Sequence, residues 1–413
     1  MDLTMRGPSG AARRARIWIT RSRLGVYSAA MLALYIVFMA LWVWRSHGFQ
    51  SSAAGRPGTD FVVFWAASHV MLNTHAWQVY DYPAFAAIER SLFHDLPKNA
   101  FLPWLYPPAF LVLVTPLALL PFTPSYLVFC ALSLAVFVPA ALRVSGLTPD
   151  ALASKTAVLF LVASPFVPVA LIFGQNALLT AALAALAVYW IDRHPVRAGM
   201  CLGLLTIKPQ MAMLFPIVLL ASRAWRPFLA AAASAAAVTL ASTLICGMNA
   251  VKLFVANAGM ARELVLEHDS QFWLASPAPF ALFRTAGLSV PLAWIAQGAA
   301  TTIAICVACH VWRRTRDVGL RAAALCAATL IANPYVWHYE LAWLGVAVAC
   351  LVASGLREGW QAGEQQVLTL AWLLPLYELF NRWLAWPQIG PLVVMLVLLI
   401  TLRRVNLVQG ERS

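Results

Sequence analysis

Apolar runs of about twenty residues, each long enough to cross roughly 30 Å of hydrocarbon, recur along the chain, with the polar positions gathered between them. The first runs from Leu24 to Trp44. Later runs predict spans at about 107–121, 126–143, 228–247, 290–312, 321–333, 339–354, 366–383 and 388–403. Two apolar stretches are interrupted. The segment 156–173 contains Ser164-Pro165-Phe166-Val167-Pro168, which predicts a broken hairpin returning to the side it came from. The segment 198–222 is broken by Lys208-Pro209 and predicts a second re-entrant pair with Lys208 at its tip, since irregular backbone at membrane depth needs protein or a wet cavity around it. With the re-entrant halves counted, the pattern predicts an all-α polytopic membrane protein of about twelve transmembrane or re-entrant helices.

Composition agrees: 62% of the 413 residues are hydrophobic, 11% are charged, and mean hydropathy is +0.76. Such a chain is no soluble globule. The net charge of +13 belongs to arginines at the ends of apolar runs, with no compact basic and aromatic patch, so topology explains it and nucleic acid is not an expected partner. Arg6, Arg13, Arg14, Arg16, Arg21 and Arg23 precede the first span, which is too long for a cleaved signal peptide and reads as a retained anchor. The positive-inside rule then puts both termini in the cytoplasm. The expected organisation is a basic N-terminus (1–25), an integral membrane domain (26–404) and a cytoplasmic tail (405–413). The seven cysteines lie in or beside apolar runs, without metal-ligand spacing beyond Cys306-x-x-Cys309, and read as small core residues.

The polar stretch 45–106 follows the first span on the outer side. Its scattered aromatics, Phe64, Trp65, Trp77, Tyr80 and Phe85, suit short helices lying in the interface. Asp60 sits in this loop beside Gly58 and Phe61, where partial desolvation raises the basicity of a carboxylate. It reads either as a solvated loop residue or as a general base. On the same side emerge Tyr106, Gln175, the loop 248–289, the stretch from Asn333 to Glu340 and the turn from Asn381 to Gln388. Convergence of separated segments on one face of a bundle predicts an outward-facing site.

Lys208 either snorkels from a helix end or meets an anion such as a lipid phosphate. His338 and Glu340, in Trp337-His338-Tyr339-Glu340, read as part of an aromatic belt or as groups that orient a substrate or its phosphate. Gln175-Asn176 can bond sugar hydroxyls or start a helix, and Tyr106-Pro107-Pro108 is first a helix-start signal. Glu263, Glu267, His268 and Asp269 resemble a metal site only loosely, and no metal or other cofactor is expected. No phosphate-cradling or dinucleotide glycine loop is present, so an activated group is expected to arrive in the lipid.

Several motifs occur in one order: Gly58-Thr59-Asp60-Phe61-x-x-Phe64-Trp65, Tyr80-Asp81, Tyr106-Pro107-Pro108, Gly174-Gln175-Asn176, Thr206-Ile207-Lys208-Pro209-Gln210 and Asn333-Pro334-Tyr335. The set resembles glycosyltransferase family 87, polyprenyl-phosphate-mannose-dependent mannosyltransferases of the GT-C superfamily, over about residues 55–345. The resemblance implies a GT-C type bundle in a bacterial inner membrane, with its active site on the periplasmic face. It implies a polyprenyl-phosphate-sugar donor, a lipid or glycan acceptor, and inverting transfer with Asp60 as general base. It further implies Lys208 and His338 near the donor phosphate; Tyr106, Gln175 and Glu340, on the same side, are expected to bind substrate. The alternative reading is a transporter or flippase of lipid-linked sugars, which also uses broken helices and a buried lysine but more often shows repeated halves.

Overall fold

The computed structural model describes residues 17–49, 55–94, 102–147 and 151–410, and all regular structure among them is helical. Arg6, Arg13, Arg14, Arg16 and Arg412 lie outside the described residues. The chain opens with the long helix α1 (Arg21–Arg45), then α2 (Phe61–Asn73), α3 (Tyr82–Leu92), α4 (Pro108–Val114) and α5 (Phe122–Ser145). A bent pair follows, α6 (Ala151–Val162) and α7 (Phe166–Phe173), then α8 (Ala177–Trp190). The next helices are α9 (Pro195–Leu204), α10 (Pro209–Ala212), α11 (Leu214–Ala221), α12 (Trp225–Cys246) and α13 (Met248–Met260). Short α14 (Ser270–Leu274) and α15 (Pro279–Thr285) lead to α16 (Val290–Arg314), α17 (Val318–Ala332), α18 (Ala342–Glu358), α19 (Glu364–Leu384) and α20 (Gly390–Gly410).

Among the described residues six helices are long and apolar enough to cross a membrane, α1, α5, α12, α16, α20 and the His338–Glu358 stretch that includes α18; counting the bent α6–α7 pair makes seven. The shorter apolar α8 and α17 run beside them. Leu229, Leu240, Leu244 and Ile245 on α12, and Ile36, Val37 and Trp44 on α1, are exposed apolar side chains of the kind that face lipid. The chain is therefore a multi-pass membrane protein. At the centre stands α17, buried from Leu320 through Ala332, whose alanines let its neighbours approach closely.

The basic end of the bundle is tied together by polar contacts. Arg357 Nη1 donates to the Ser145 carbonyl (3.3 Å), Arg321 pairs with Asp192 (3.4 Å), and the Gln365 side chain accepts from the backbone of Trp18 and Ile19 (both 2.9 Å). Against these anchors, two expected segments differ. Residues 108–119 do not cross: Ser68 Oγ donates to the Thr115 carbonyl (2.6 Å) and Trp65 Nε1 to that of Leu120 (3.0 Å), so the segment ends against α2, in the loop it started from. Consequently α5 starts at the Asp60 end, where Tyr126 packs on Gly58, and finishes at the basic end. The expected hairpin at 156–173 is instead a crossing. Pro165 sits just before α7, where a proline starts a helix without losing an internal hydrogen bond, and the pair bends by 49° without reversing.

The second expected pair is present. Helices α9 and α12 lie side by side and in parallel, Gly199 on Ala230 and Gly203 on Ser234, at a spacing where an added Cβ would meet atoms at 2.4 and 2.2 Å. Both therefore climb from the basic end, and α10 and α11 return to it, leaving Lys208 at the break as a tip within the bundle.

Candidate active site

Three backbone features bring the polar residues together. Gly174 ends α7 in left-handed geometry (φ 69°), and an added Cβ would lie 2.6 Å from that of Phe61, so only glycine lets the two segments meet. The Gly58 and Asp60 amides then donate to the carbonyls of Ile172 (2.7 Å) and Phe173 (3.1 Å), which pins the Asp60 loop to the end of α7. Asn333 Nδ2 reaches Met211 Sδ (3.3 Å) and its Oδ1 accepts from the Tyr335 amide (3.0 Å), tying the stretch 333–340 to the Lys208 tip.

The result is a cavity of about 440 Å³ lined from all these segments. Asp60, Tyr106, Gln175, Lys208, His338 and Glu340, the residues singled out in the sequence, all line it. Asp60 Oδ2 accepts from Gln175 Nε2 at 2.7 Å, and Gln175 Oε1 accepts from the Tyr106 hydroxyl at 2.9 Å. What remains open of Asp60 faces the cavity. Removal from bulk water pushes its carboxyl above the usual carboxylate range, opposed by the Gln175 hydrogen bond and the charges of Arg382 and Lys208. Burial likewise raises the Tyr106 phenol well above its ordinary value, so it stays a donor to Gln175.

Lys208 is not a free ammonium. It forms a buried ion pair with Glu340 Oε1, donates to Asn176 Oδ1 (3.2 Å) and lies over the rings of Tyr106 (5.4 Å) and Tyr339 (5.7 Å). Asn176 stands at the helix-start position of α8, as the sequence allows, yet its side chain serves the lysine and caps nothing. His338 is 1% exposed and packs edge-on against Phe173 (4.8 Å); neither ring nitrogen meets hydrogen-bond geometry, although the backbone of Ala275 lies close. In the 263–269 cluster Glu267 accepts from Arg262 (2.6 Å) and Trp294 (2.9 Å), while Asp269 caps α14 and also lines the cavity. Of the cysteines, Cys201, Cys246, Cys326 and Cys350 are buried, whereas Cys306 is exposed.

Sequence reasoning missed Arg382, which lines the cavity from the last turn of α19. A signal was available, since an arginine at the outer end of a span runs against the positive-inside rule.

Residues 104–334 of the 413, more than half of the chain, match glycosyltransferase family 87. The chain belongs to glycosyltransferase family 87. No curated protein and no solved structure matches it. Membership makes it a glycosyltransferase of the GT-C superfamily. Within this family 87 chain, Tyr106, Gln175 and Lys208 fall inside the matched residues, while Asp60, His338, Glu340 and Arg382 come from the flanking segments and reach the same cavity.

Proposed function

We propose that this glycosyltransferase moves a sugar, mannose in the first instance, from a polyprenyl-phosphate donor to a hydroxyl of a lipid or glycan acceptor, at the periplasmic face of a bacterial inner membrane. The observation that carries the reading is Asp60: a carboxylate held by hydrogen bonds from Gln175 and, at longer range, the Thr59 hydroxyl, open to a cavity whose other walls carry Lys208, His338 and Arg382. The direction of the arginines supports the outward orientation, since Arg193, Arg313, Arg357 and Arg403 belong to the end opposite this cavity.

In the proposed reaction Asp60 takes the proton of an acceptor hydroxyl. That oxygen bonds to the anomeric carbon as the bond from the same carbon to the phosphate oxygen breaks on the opposite face, and the electron pair leaves with the lipid phosphate. Positive groups in a water-poor cavity stabilise the charge that gathers on the phosphate. Gln175 fixes the carboxylate, and Tyr106 fixes Gln175. The cavity size suits one hexosyl unit with its phosphate and the attacking hydroxyl.

The test is transfer of labelled mannose from synthetic polyprenyl-phosphate-mannose to extracted membrane lipids and glycans by the purified protein in nanodiscs. A labelled acceptor is expected from the lipid donor. Label arriving from a nucleotide-sugar donor alone would contradict the reading. The pH profile is a second check. Asp60 must be ionised to accept a proton, so kcat/KM should climb with pH along an acid limb and then level. Because desolvation raises its carboxyl, the midpoint should lie above the ordinary aspartate value of ~3.9. An acid limb centred at or below that value would exclude Asp60 as the titrating base.

A further inference from the structure

Among the described residues the cavity holds two cationic side chains, Lys208 and Arg382, and they differ in what balances them. Lys208 is neutralised in place: its ammonium is paired with Glu340, and the side chains are 5% and 2% exposed. Arg382 has no such partner. Among the described residues no carboxylate lies within ion-pair distance of it, and its Nε is buried without a hydrogen-bond partner. The nearest acidic residue on its own helix, Glu378, one turn earlier, is fully buried and accepts from Gln388 Nε2 (2.8 Å).

The position of Arg382 is fixed from both sides. Its neighbour Asn381 donates to the Leu274 carbonyl (3.0 Å) and accepts from the Trp386 amide (2.7 Å), and its guanidinium lies over the Trp337 ring at 5.7 Å. A guanidinium held over an indole by its charge leaves its nitrogen donors free for a bidentate contact, the geometry in which arginine grips phosphate oxygens. His338, beside Trp337 and within reach of the same charge, adds ring nitrogens that also lack partners. Asp60, across the same cavity, lies within the electrostatic reach of Arg382 and likewise has no cationic partner within ion-pair distance among the described residues.

We propose that Arg382, with its guanidinium over the Trp337 ring, is the direct ligand of a phosphate group in this cavity, and that Lys208, already balanced by Glu340, is not. The inference rests on the lipid-phosphate reading above and names the residue that would receive the leaving group. The same chemistry would take a lipid phosphate or free phosphate, and the two are separable by experiment.

The experiment measures binding of farnesyl phosphate, farnesol and inorganic phosphate to the full-length protein in nanodiscs, for the wild type, Arg382→Gln, Arg382→Lys and the double variant Lys208→Met/Glu340→Gln. The wild type should bind farnesyl phosphate, and Arg382→Gln should weaken it by about 10- to 100-fold, the size expected for charged hydrogen bonds. Arg382→Lys should recover part of the loss, and the double variant should stay within about threefold of wild type because it removes no net charge. Farnesol binding should be insensitive to residue 382. Competition by inorganic phosphate that also depends on Arg382 would assign the site to the phosphate group itself; inorganic phosphate binding with no farnesyl phosphate binding would overturn the lipid-phosphate source. If Arg382→Gln fails to insert, Arg382→Lys carries the test through kinetics: donor KM should rise while acceptor KM stays. Undiminished farnesyl phosphate binding in a folded Arg382→Gln protein overturns the assignment and leaves the proposed reaction standing. A wild type that transfers sugar without binding farnesyl phosphate removes the lipid-phosphate donor as well.

Discussion

Asp60→Asn should reduce sugar transfer by ~10² to 10⁴, the range for losing a positioned general base, while the protein still folds and inserts. The side-chain amide keeps the size of the carboxyl group and can still accept a hydrogen bond from Gln175 Nε2 through its oxygen, so the Gln175 and Tyr106 chain has no reason to rearrange. What disappears is the basic lone pair that takes the acceptor proton. Asp60→Glu keeps that lone pair and displaces it by one methylene toward the cavity, so partial turnover is expected. Purified variants of equal thermal stability, compared in the transfer assay, give the answer. Near-normal turnover in Asp60→Asn would remove Asp60 from this role.

The second large effect is on stability. Lys208→Met should destabilise the folded protein by ~3–5 kcal/mol, because it leaves Glu340 as an uncompensated charge in a site from which both side chains are almost wholly excluded from solvent. Glu340→Gln should also destabilise, because the ammonium loses its counter-charge and keeps only neutral partners, the amide oxygen at 340, the Asn176 oxygen and two aromatic faces. The double variant Lys208→Met/Glu340→Gln should recover most of the loss, since buried ion pairs are replaced by neutral groups at little cost. Thermal unfolding in one detergent, read as a double-mutant cycle, measures the coupling. Single and double variants of equal stability would show that the pair does not hold the Lys208 tip.

Much of this architecture was legible in the chain. Uninterrupted apolar length placed α12, α16, α17, α18 and α19 within a few residues and the start of α20, which runs two turns further than expected, and Lys208-Pro209 marked a real break because a charge and a proline together cannot continue a buried helix. The failures have one cause. Apolar length does not reveal direction: residues 107–121 are apolar enough to span, yet they fold back on α2 through Ser68 and Trp65, contacts between residues about fifty positions apart. The same blindness made the proline-rich stretch at 164–168 read as a reversal when it is a bend. At the site, residue types announced themselves but pairings did not. Nothing local says that Lys208 meets Glu340, 132 residues away, or that Arg382 enters the same cavity from the last turn of α19.

The stereochemistry of transfer tests the central claim most directly. In the proposed reaction Asp60 is a base acting on the acceptor, and of the other carboxylates that line the cavity among the described residues, Glu340 is held by Lys208 and Asp269 caps α14. A single displacement must therefore turn over the anomeric carbon, whereas a carboxylate acting as nucleophile would form a glycosyl-enzyme and restore the original configuration. Nuclear magnetic resonance of the product made from a donor of known anomeric configuration reads this directly. The product should carry the opposite anomer; retention of the donor configuration would rule out a single displacement with Asp60 as base.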